Sequence, residues 1–412
     1  MKRKFIIHAD QLVTPLGRKA LHGKDMNKLY IIHDAAVCVE DEIIIAVGTT
    51  ESILKAYIPS SEDEIIDASG QCILPGFVDS HTHFVFGGYR SQEFIDRLKG
   101  KAYLDILKAG GGIQNTVRST RGCSEEQLYK DGFNKLQEML SMGITTVEGK
   151  SGYGLDKETE VKQLRVYSKL KENHPMDIAI TYMGAHAVPP EYNEDQYIDK
   201  MIKEIMPYIK ENEMAEFCDV FCEEGVFSVE QSERLLTAAR DMGFKLKIHA
   251  NEMTSLGGAA LAARIKAVSA DHLLMITEQE VEALGKSGTI ATLLPCTAFC
   301  LAHPYAPGRK MIDRGCAVAL ASDYNPGSCF TNSIPLIFAL SVIHMKLTIE
   351  EAITALTLNG AAALGRSESI GSIEPGKQAD IIFLKEPDYG FLVYNTGTNQ
   401  VKHLMKKGRL IY

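Results

Sequence analysis

The sequence lacks any apolar run approaching the ~20 residues that a membrane-spanning helix requires, which predicts a soluble chain with no membrane partner. Its start, Met1-Lys-Arg-Lys-Phe-Ile-Ile-His8, is basic but meets His8 and Asp10 before an apolar signal segment can form, so a cytoplasmic location is expected. The nine cysteines include no Cys-x-x-Cys pair, and an odd number argues against a disulfide framework and fits a reducing compartment. Cys218/Cys222 and Cys296/Cys300 share a four-residue spacing, yet both pairs read as lying in apolar, strand-like surroundings, where buried free thiols are expected rather than zinc ligands. No basic stripe interleaved with aromatics appears. A net charge of −9 and a pI near 5.8 disfavour a surface that tracks phosphates, so nucleic acid is not an expected partner. Internal repeats and low-complexity segments are also lacking.

What is present is a chain of 412 residues, longer than the ~250–300 at which one core stops growing, so a large domain with a smaller satellite is the natural division. Hydrophobic residues at 45% and charged residues at 24% are ordinary for a globular protein. Short β-branched or apolar runs alternate with longer segments of helical period, the pattern of parallel strands joined by crossover helices. Eight strands are expected, at 77–83, 144–148, 178–183, 220–222, 246–249, 268–271, 290–294 and 318–323. Helical patterns at 125–142, 158–172, 195–212, 228–242 and 277–284 lie between them, several with a glycine in the stop position: Gly143, Gly243 and Gly285. Eight such units make an α/β fold of the (β/α)₈ TIM-barrel type. Short alternating runs at 37–47 and 64–73, and again at 379–384, 399–405 and 408–412, predict a small β-sandwich built from both chain ends. The expected division is therefore 1–72 and 371–412 for the sandwich and 73–370 for the barrel.

In a TIM barrel, chemistry gathers where the strands end. Here the ends carry His81/His83, Glu148-Gly-Lys150, Gly184-Ala-His186, Glu223/Glu224, His249-Ala-Asn-Glu252, Asp271-His272 and Asp323-Tyr-Asn325. An extended backbone sends alternate side chains to one face, so His81 and His83 can grip one ion. With His249 from strand five and Asp323 from strand eight, the set becomes three imidazoles and a carboxylate, leaving positions open as a catalytic metal requires. That donor set suits one divalent or trivalent ion, zinc or iron, with manganese also accepted.

This set of strand positions resembles the amidohydrolase superfamily, and the resemblance extends to the tail through Asn359-Gly-Ala-Ala-Ala-Leu-Gly365 and Gly371-Ser-Ile-Glu-Pro-Gly-Lys-Gln-Ala-Asp380. Within it the chain is most similar to the imidazolonepropionase family. Five stretches carry that likeness: His81-Thr-His-Phe-Val-Phe-Gly-Gly-Tyr-Arg90, Gly110-Gly-Gly-Ile-Gln-Asn-Thr-Val-Arg-Ser-Thr-Arg121, Lys150-Ser-Gly-Tyr-Gly154, Gly184-Ala-His-Ala-Val-Pro189 and Asp323-Tyr-Asn-Pro-Gly-Ser328.

The resemblance implies hydrolytic opening of 4-imidazolone-5-propanoate to N-formimidoyl-L-glutamate in histidine degradation, and a homodimer. A bound metal lowers the pKa of water from 15.7 towards about 7 and supplies a nucleophile for the ring carbonyl. Glu252, three residues beyond His249, is placed to accept its proton and return it to the leaving ring nitrogen, and His272 to polarise the carbonyl or orient the water. Arg90 offers a planar fork for the propionate. Tyr153 and His186 match positions that contact ring or tail, and Asn325, Gly327 and Ser328 match positions that hold the product's carboxylate and formimino end. A turn explains Gly327 and the run at 110–112 equally well. Arg118 and Arg121 read as solvated helix charges.

Two residues depart from the pattern: Tyr89 where a small residue often precedes the arginine, and Cys296 where Gly often follows Leu-Leu-Pro. A deaminase of a nucleobase-like ring would use the same metal set, but a neutral base offers nothing for Arg90 to pair with. A silent scaffold is disfavoured by the four candidate ligands occurring together with Glu252. A binuclear site bridged by a carboxylated lysine is disfavoured because strand four ends Cys222-Glu223-Glu224.

Overall fold

The structure is a computed structural model that describes residues 3–101 and 110–411. Eight parallel strands follow one another around a barrel in sequence order: Phe77–Asp79, Ile144–Lys150, Asp177–Ala185, Phe217–Cys222, Lys245–Ala250, Ser269–His272, Ile290–Leu293 and Val318–Leu320. Their residues are almost all buried, because helices cover the outer face while side chains fill the interior. The seam between the first and last strands is closed beyond their regular parts. Thr82 bridges Tyr324, and Asp79 accepts from the backbone N–H (3.0 Å) and hydroxyl (2.6 Å) of Ser322.

Both chain ends meet in one mixed sheet. Its hub is Arg3–Thr14, a strand the sequence pattern did not reveal, which pairs with Tyr30–Glu40 antiparallel and with Glu64–Asp67 and Cys72–Pro75 in parallel. A register shift between Ile6 and Ala9, with His8 at φ 57°, breaks the alternation that would have marked the strand. Cys72–Pro75 then pairs with Ile381–Leu384, the seam between the N- and C-terminal contributions, and Val401–Lys406 and Arg409–Leu410 extend the sheet. The expected boundary at 72/73 falls inside the strand Cys72–Pro75, and Tyr412 of the expected last run lies outside the described residues. Neighbours such as Phe5 and Ile6 enter different apolar clusters, as period two requires. The fully buried Lys406 clamps this sheet to the base of the barrel by donating to Asp380 and Asp177, each at 2.7 Å.

Several local expectations change. The first strand stops at Asp79 rather than at 83 and the eighth at Leu320 rather than 323, so His81, His83 and Asp323 stand on irregular backbone above the barrel. The helical stretch expected at 195–212 is interrupted by a π-turn at Met201–Ile205, just before Pro207, whose missing N–H a continuous α-helix would not tolerate. Cys296 and Cys300 lie on the helix Pro295–Leu301, not on a strand; the prolyl at its first turn starts the helix, and all nine cysteines are free. The stop after Glu278–Ser287 is Gly288, at φ 80°, and Gly285 lies inside the helix. Gly285 is needed there because a Cβ would sit 2.6 Å from the Arg314 carbonyl oxygen.

That contact decides the sign of a substitution. Alanine in a helix interior normally gains about 1 kcal/mol over glycine, but the clash outweighs it, so Gly285→Ala is expected to destabilise by about 1–3 kcal/mol. Thermal denaturation checks this, and a raised midpoint would show the backbone approach to be harmless.

Candidate metal and substrate site

The closing seam builds the site. Beyond strand one, His83 donates its N–H to the Tyr324 carbonyl at 2.9 Å, and Asp323 donates to the His81 carbonyl at 3.0 Å, interlocking the two segments. Asp323 takes the left-handed conformation, φ 52°, which aims its carboxylate across the mouth. Its Oδ1 lies 3.5 Å from His81 Nε2 and 3.8 Å from His83 Nε2, while Thr297 donates to Oδ2 at 2.7 Å. The ligating atoms of His81, His83 and His249 lie within 4.8 Å of one another, and so do those of His81, His272 and Asp323. The four candidate ligands therefore converge, with His272 beside them.

The residues present fit a metal ion. His81 Nε2 and His249 Nε2 are buried without a hydrogen-bond partner, a costly arrangement for polar atoms that an ion would relieve. Burial pushes His81 and His83 well below the ordinary imidazole range, so both rings are neutral and have a lone pair to donate. The opposite ring nitrogens are fixed from behind: His81 Nδ1 meets Asp271 at 2.6 Å, and His249 Nδ1 meets Asp219 at 3.1 Å. Each carboxylate fixes a tautomer with Nε2 facing the cluster.

Beneath them lies a fully buried charge network. Lys150 Nζ contacts Asp219 at 2.5 Å, Glu148 at 3.1 Å and Asp271 at 3.6 Å, and Lys247 contacts Glu148 at 2.6 Å. Burial alone would lower the Lys150 pKa, but Asp219, Glu148 and Asp271 reverse this and hold it above its ordinary value. A lysine thus does enter this region, from strand two instead of strand four. It serves as an ammonium bound by carboxylates.

Above the cluster opens a cavity of about 360 Å³. His83, His249, Asp323, Glu252, His272, Arg90, Tyr153, His186, Asn325, Gly327 and Ser328 all line it; His81, fully buried, lies behind. Tyr89 and Cys296 are not among the lining residues. Glu252 Oε2 is 3.6 Å from His272 Nε2. Burial, with Asp323 and Glu223 close by, pushes Glu252 up to about 8, and burial raises Asp323 to about 7. A cation among them would draw both down. Burial keeps His272 well below its usual range, so its imidazole is neutral.

On the other side, Arg90 is anchored through Nε to Glu93 at 2.8 Å, and Glu93 is held by the Gly112 N–H and the Asn115 amide. Gly327 leaves room for the guanidinium: a Cβ there would lie 2.2 Å from Arg90 Nη1, so a larger residue would push the Arg90 side chain from its present place. Asn325 uses its side chain within its own loop, its Oδ1 accepting from the N–H groups of Gly327 and Ser328 at 2.8 Å. His186 stacks on His83, with ring centroids 4.9 Å apart, and Tyr153 packs at 5.2 Å from His186.

Residue patterns had left Arg97, Phe221, Met253 and His303 in the lining, and Asp219, Lys247, Glu223 and Thr297 behind it, without a role. For Asp219 a signal existed, since an aspartate within the apolar run Phe217-Cys-Asp-Val-Phe-Cys222 is rarely buried without a partner.

The amidohydrolase family model matches residues 72–411. An imidazolonepropionase of Clostridium tetani is 54% identical, covering 100% of this chain and 99% of the relative, and one of Parabacteroides distasonis is 56% identical with 98% of each covered. The chain belongs to the amidohydrolase family and, within it, to the imidazolonepropionases. Solved structures with the same fold include a guanine deaminase from C. acetobutylicum with bound guanine, at TM-score 0.73 and 16% identity over 100% of both chains. Another is a zinc-bound adenosine deaminase from Xanthomonas campestris, at TM-score 0.72 and 20% identity, covering 99% of this chain and 92% of the other. At such identities they speak for the fold alone.

One equivalent of metal per chain is expected, and His249→Ala or Asp323→Ala should abolish it. Asp219→Asn and Asp271→Asn should keep the fold but weaken metal affinity by about 10–100-fold, because the ring loses its orienting acceptor. Elemental analysis and titration of the metal-free protein with zinc check both; unchanged affinity in the two Asn variants would remove the carboxylates from metal binding.

Proposed function

We propose that this hydrolase opens 4-imidazolone-5-propanoate to N-formimidoyl-L-glutamate, using one zinc or iron ion held by His81, His83, His249 and Asp323. The observation that carries the reading is a single cavity lined both by the His/Asp cluster and by the anchored guanidinium of Arg90. That arrangement suits a small ring bearing a carboxylate. When bound, the ion supplies positive charge that makes water nucleophilic at neutral pH.

The chain's own groups handle the rest. Arg90 pairs with the propionate, and the Ser328 hydroxyl and the Asn325 amide line the cavity with it. Tyr153 and His186 form an aromatic wall for the ring. Glu252 Oε2 takes a proton from the attacking water as oxygen joins the carbonyl carbon. The same oxygen delivers that proton to the ring nitrogen as the carbon–nitrogen bond breaks. Burial raises the Glu252 carboxyl and a bound cation draws it back down, two opposed pulls that suit a group that must take a proton and give it up. His272, neutral and 3.6 Å from Glu252, orients the water or the carbonyl oxygen. The free thiols suit a reducing, cytoplasmic setting, and a homodimer is the family expectation.

Two outcomes follow. Glu252→Gln keeps shape and hydrogen bonding but cannot take a proton, so turnover, followed by ultraviolet absorbance of the substrate, should fall by ~10²–10⁴-fold at normal metal content. Near-normal turnover would pass the proton-transfer role to His272. Arg90→Met should cost roughly 2–5 kcal/mol in kcat/KM, with Arg90→Lys recovering part. An imidazolone analogue without the carboxylate should be a poor substrate that loses little further in Arg90→Met. If the two losses simply add, Arg90 does not hold the propionate, and efficient ammonia release from a nucleobase would favour a deaminase.

A further inference from the structure

Glu223 follows the fourth barrel strand and is 1% exposed, yet it plays no part in the chemistry described so far. Both of its carboxylate oxygens are engaged, and nearly all of their donors come from one short loop. Oε2 accepts the backbone N–H groups of Glu252 at 3.1 Å and Met253 at 2.9 Å, while Oε1 accepts the Thr254 hydroxyl and the Glu224 N–H at 3.1 Å. The carboxylate is itself fixed from below, because Glu223 N–H donates to the Phe227 carbonyl at 3.1 Å and its carbonyl accepts from Val226 at 3.0 Å.

The same loop is gripped at its start from the opposite side. Asn251, at φ 53°, donates its amide to Glu280 at 3.1 and 3.2 Å and accepts the Ala259 N–H at 3.0 Å. Two consecutive N–H groups converging on one oxygen leave the intervening backbone little freedom. The Cα–Cβ direction of Glu252 is thereby set towards the cavity, where its carboxyl meets His272.

We infer that Glu223 is the positioning residue for Glu252, a buried acceptor that holds residues 252–254 so that the Glu252 carboxyl faces the reacting atoms. The inference rests on the proton-transfer role proposed for Glu252. A misplacement of about 1 Å in such a group can cost on the order of 10²-fold in rate, so the hydrogen bonds have a kinetic consequence beyond stability.

The test compares Glu223→Ala, Glu223→Gln, Thr254→Val, Glu252→Gln and the Glu223→Ala/Glu252→Gln pair as metal-loaded enzymes acting on 4-imidazolone-5-propanoate. Glu223→Ala should lower kcat by about 10–100-fold with metal content unchanged and KM within about threefold. Glu223→Gln keeps an oxygen for the Glu252 and Met253 N–H groups and can donate to the Thr254 hydroxyl, losing only the Glu224 N–H bond, so it should recover most of that loss. Thr254→Val should lower kcat several-fold. In the Glu252→Gln background, Glu223→Ala should cost little more, since the group it positions no longer acts.

A full additional loss in the double variant, or an equal loss of kcat and metal in Glu223→Ala, overturns the inference. If Glu223→Ala does not fold, unchanged kcat in Thr254→Val overturns it. An active Glu252→Gln would instead remove the catalytic role of Glu252, and the inference with it; an inactive Glu252→Gln beside a fully active Glu223→Ala removes the inference alone.

Discussion

The site depends on one buried ammonium. Lys150 Nζ reaches Asp219, Glu148 and Asp271, and two of those carboxylates continue to the rings of His249 and His81. Taking such charges out of water is costly, and the cost is offset only when each has a partner. Two lysines, Lys150 and Lys247, face three carboxylates, Glu148, Asp219 and Asp271; burial pushes Asp271 up, whereas Asp219, against the push of burial, is held well below the usual carboxylate range by His249 and Lys150. The charge on Asp219 behind the His249 ring favours a cation in front of it. Orientation and electrostatics are therefore supplied by the same groups.

Above this base the barrel is least regular where the chemistry is proposed. Asn251, His272, Leu273 and Asp323 all have positive φ, a conformation that costs a non-glycine residue energy and persists where surrounding contacts enforce it. The enforcing contacts are visible: the Tyr324–His83 and His81–Asp323 backbone bonds at the seam, and the Glu280 and Glu223 carboxylates around residues 251–254. The two walls of the cavity are built on opposite plans. The cluster wall relies on irregular backbone beyond the strand ends, locked by the backbone bonds of the seam, whereas the Arg90 side relies on loops braced by Glu93 and on the room left at Gly327. A barrel with variable loops can keep the first wall and exchange the second.

The barrel was readable from the chain because parallel strands buried on both faces leave continuous apolar runs and their crossover helices leave a different period. The candidate ligands and the two walls were readable because histidine, glutamate and arginine at strand ends have few structural reasons to be there. The strand Arg3–Thr14 was not, since a register shift at His8 destroys its alternation. The close approach of Gly285 to Arg314 was hidden because it is decided by a neighbour far away in sequence.

By itself, the sequence determined which side chains reach the barrel mouth, because strand period and residue type are local properties. Only the tertiary structure decided which nitrogen of each histidine faces the cluster, where Asp323 points once its backbone turns left-handed, and what surrounds Lys150. Those features arise from contacts among strands one, two, four, five, six and eight. A carboxylate buried beside an imidazole leaves no periodic trace in the chain; its effect exists only when the barrel closes and water is gone.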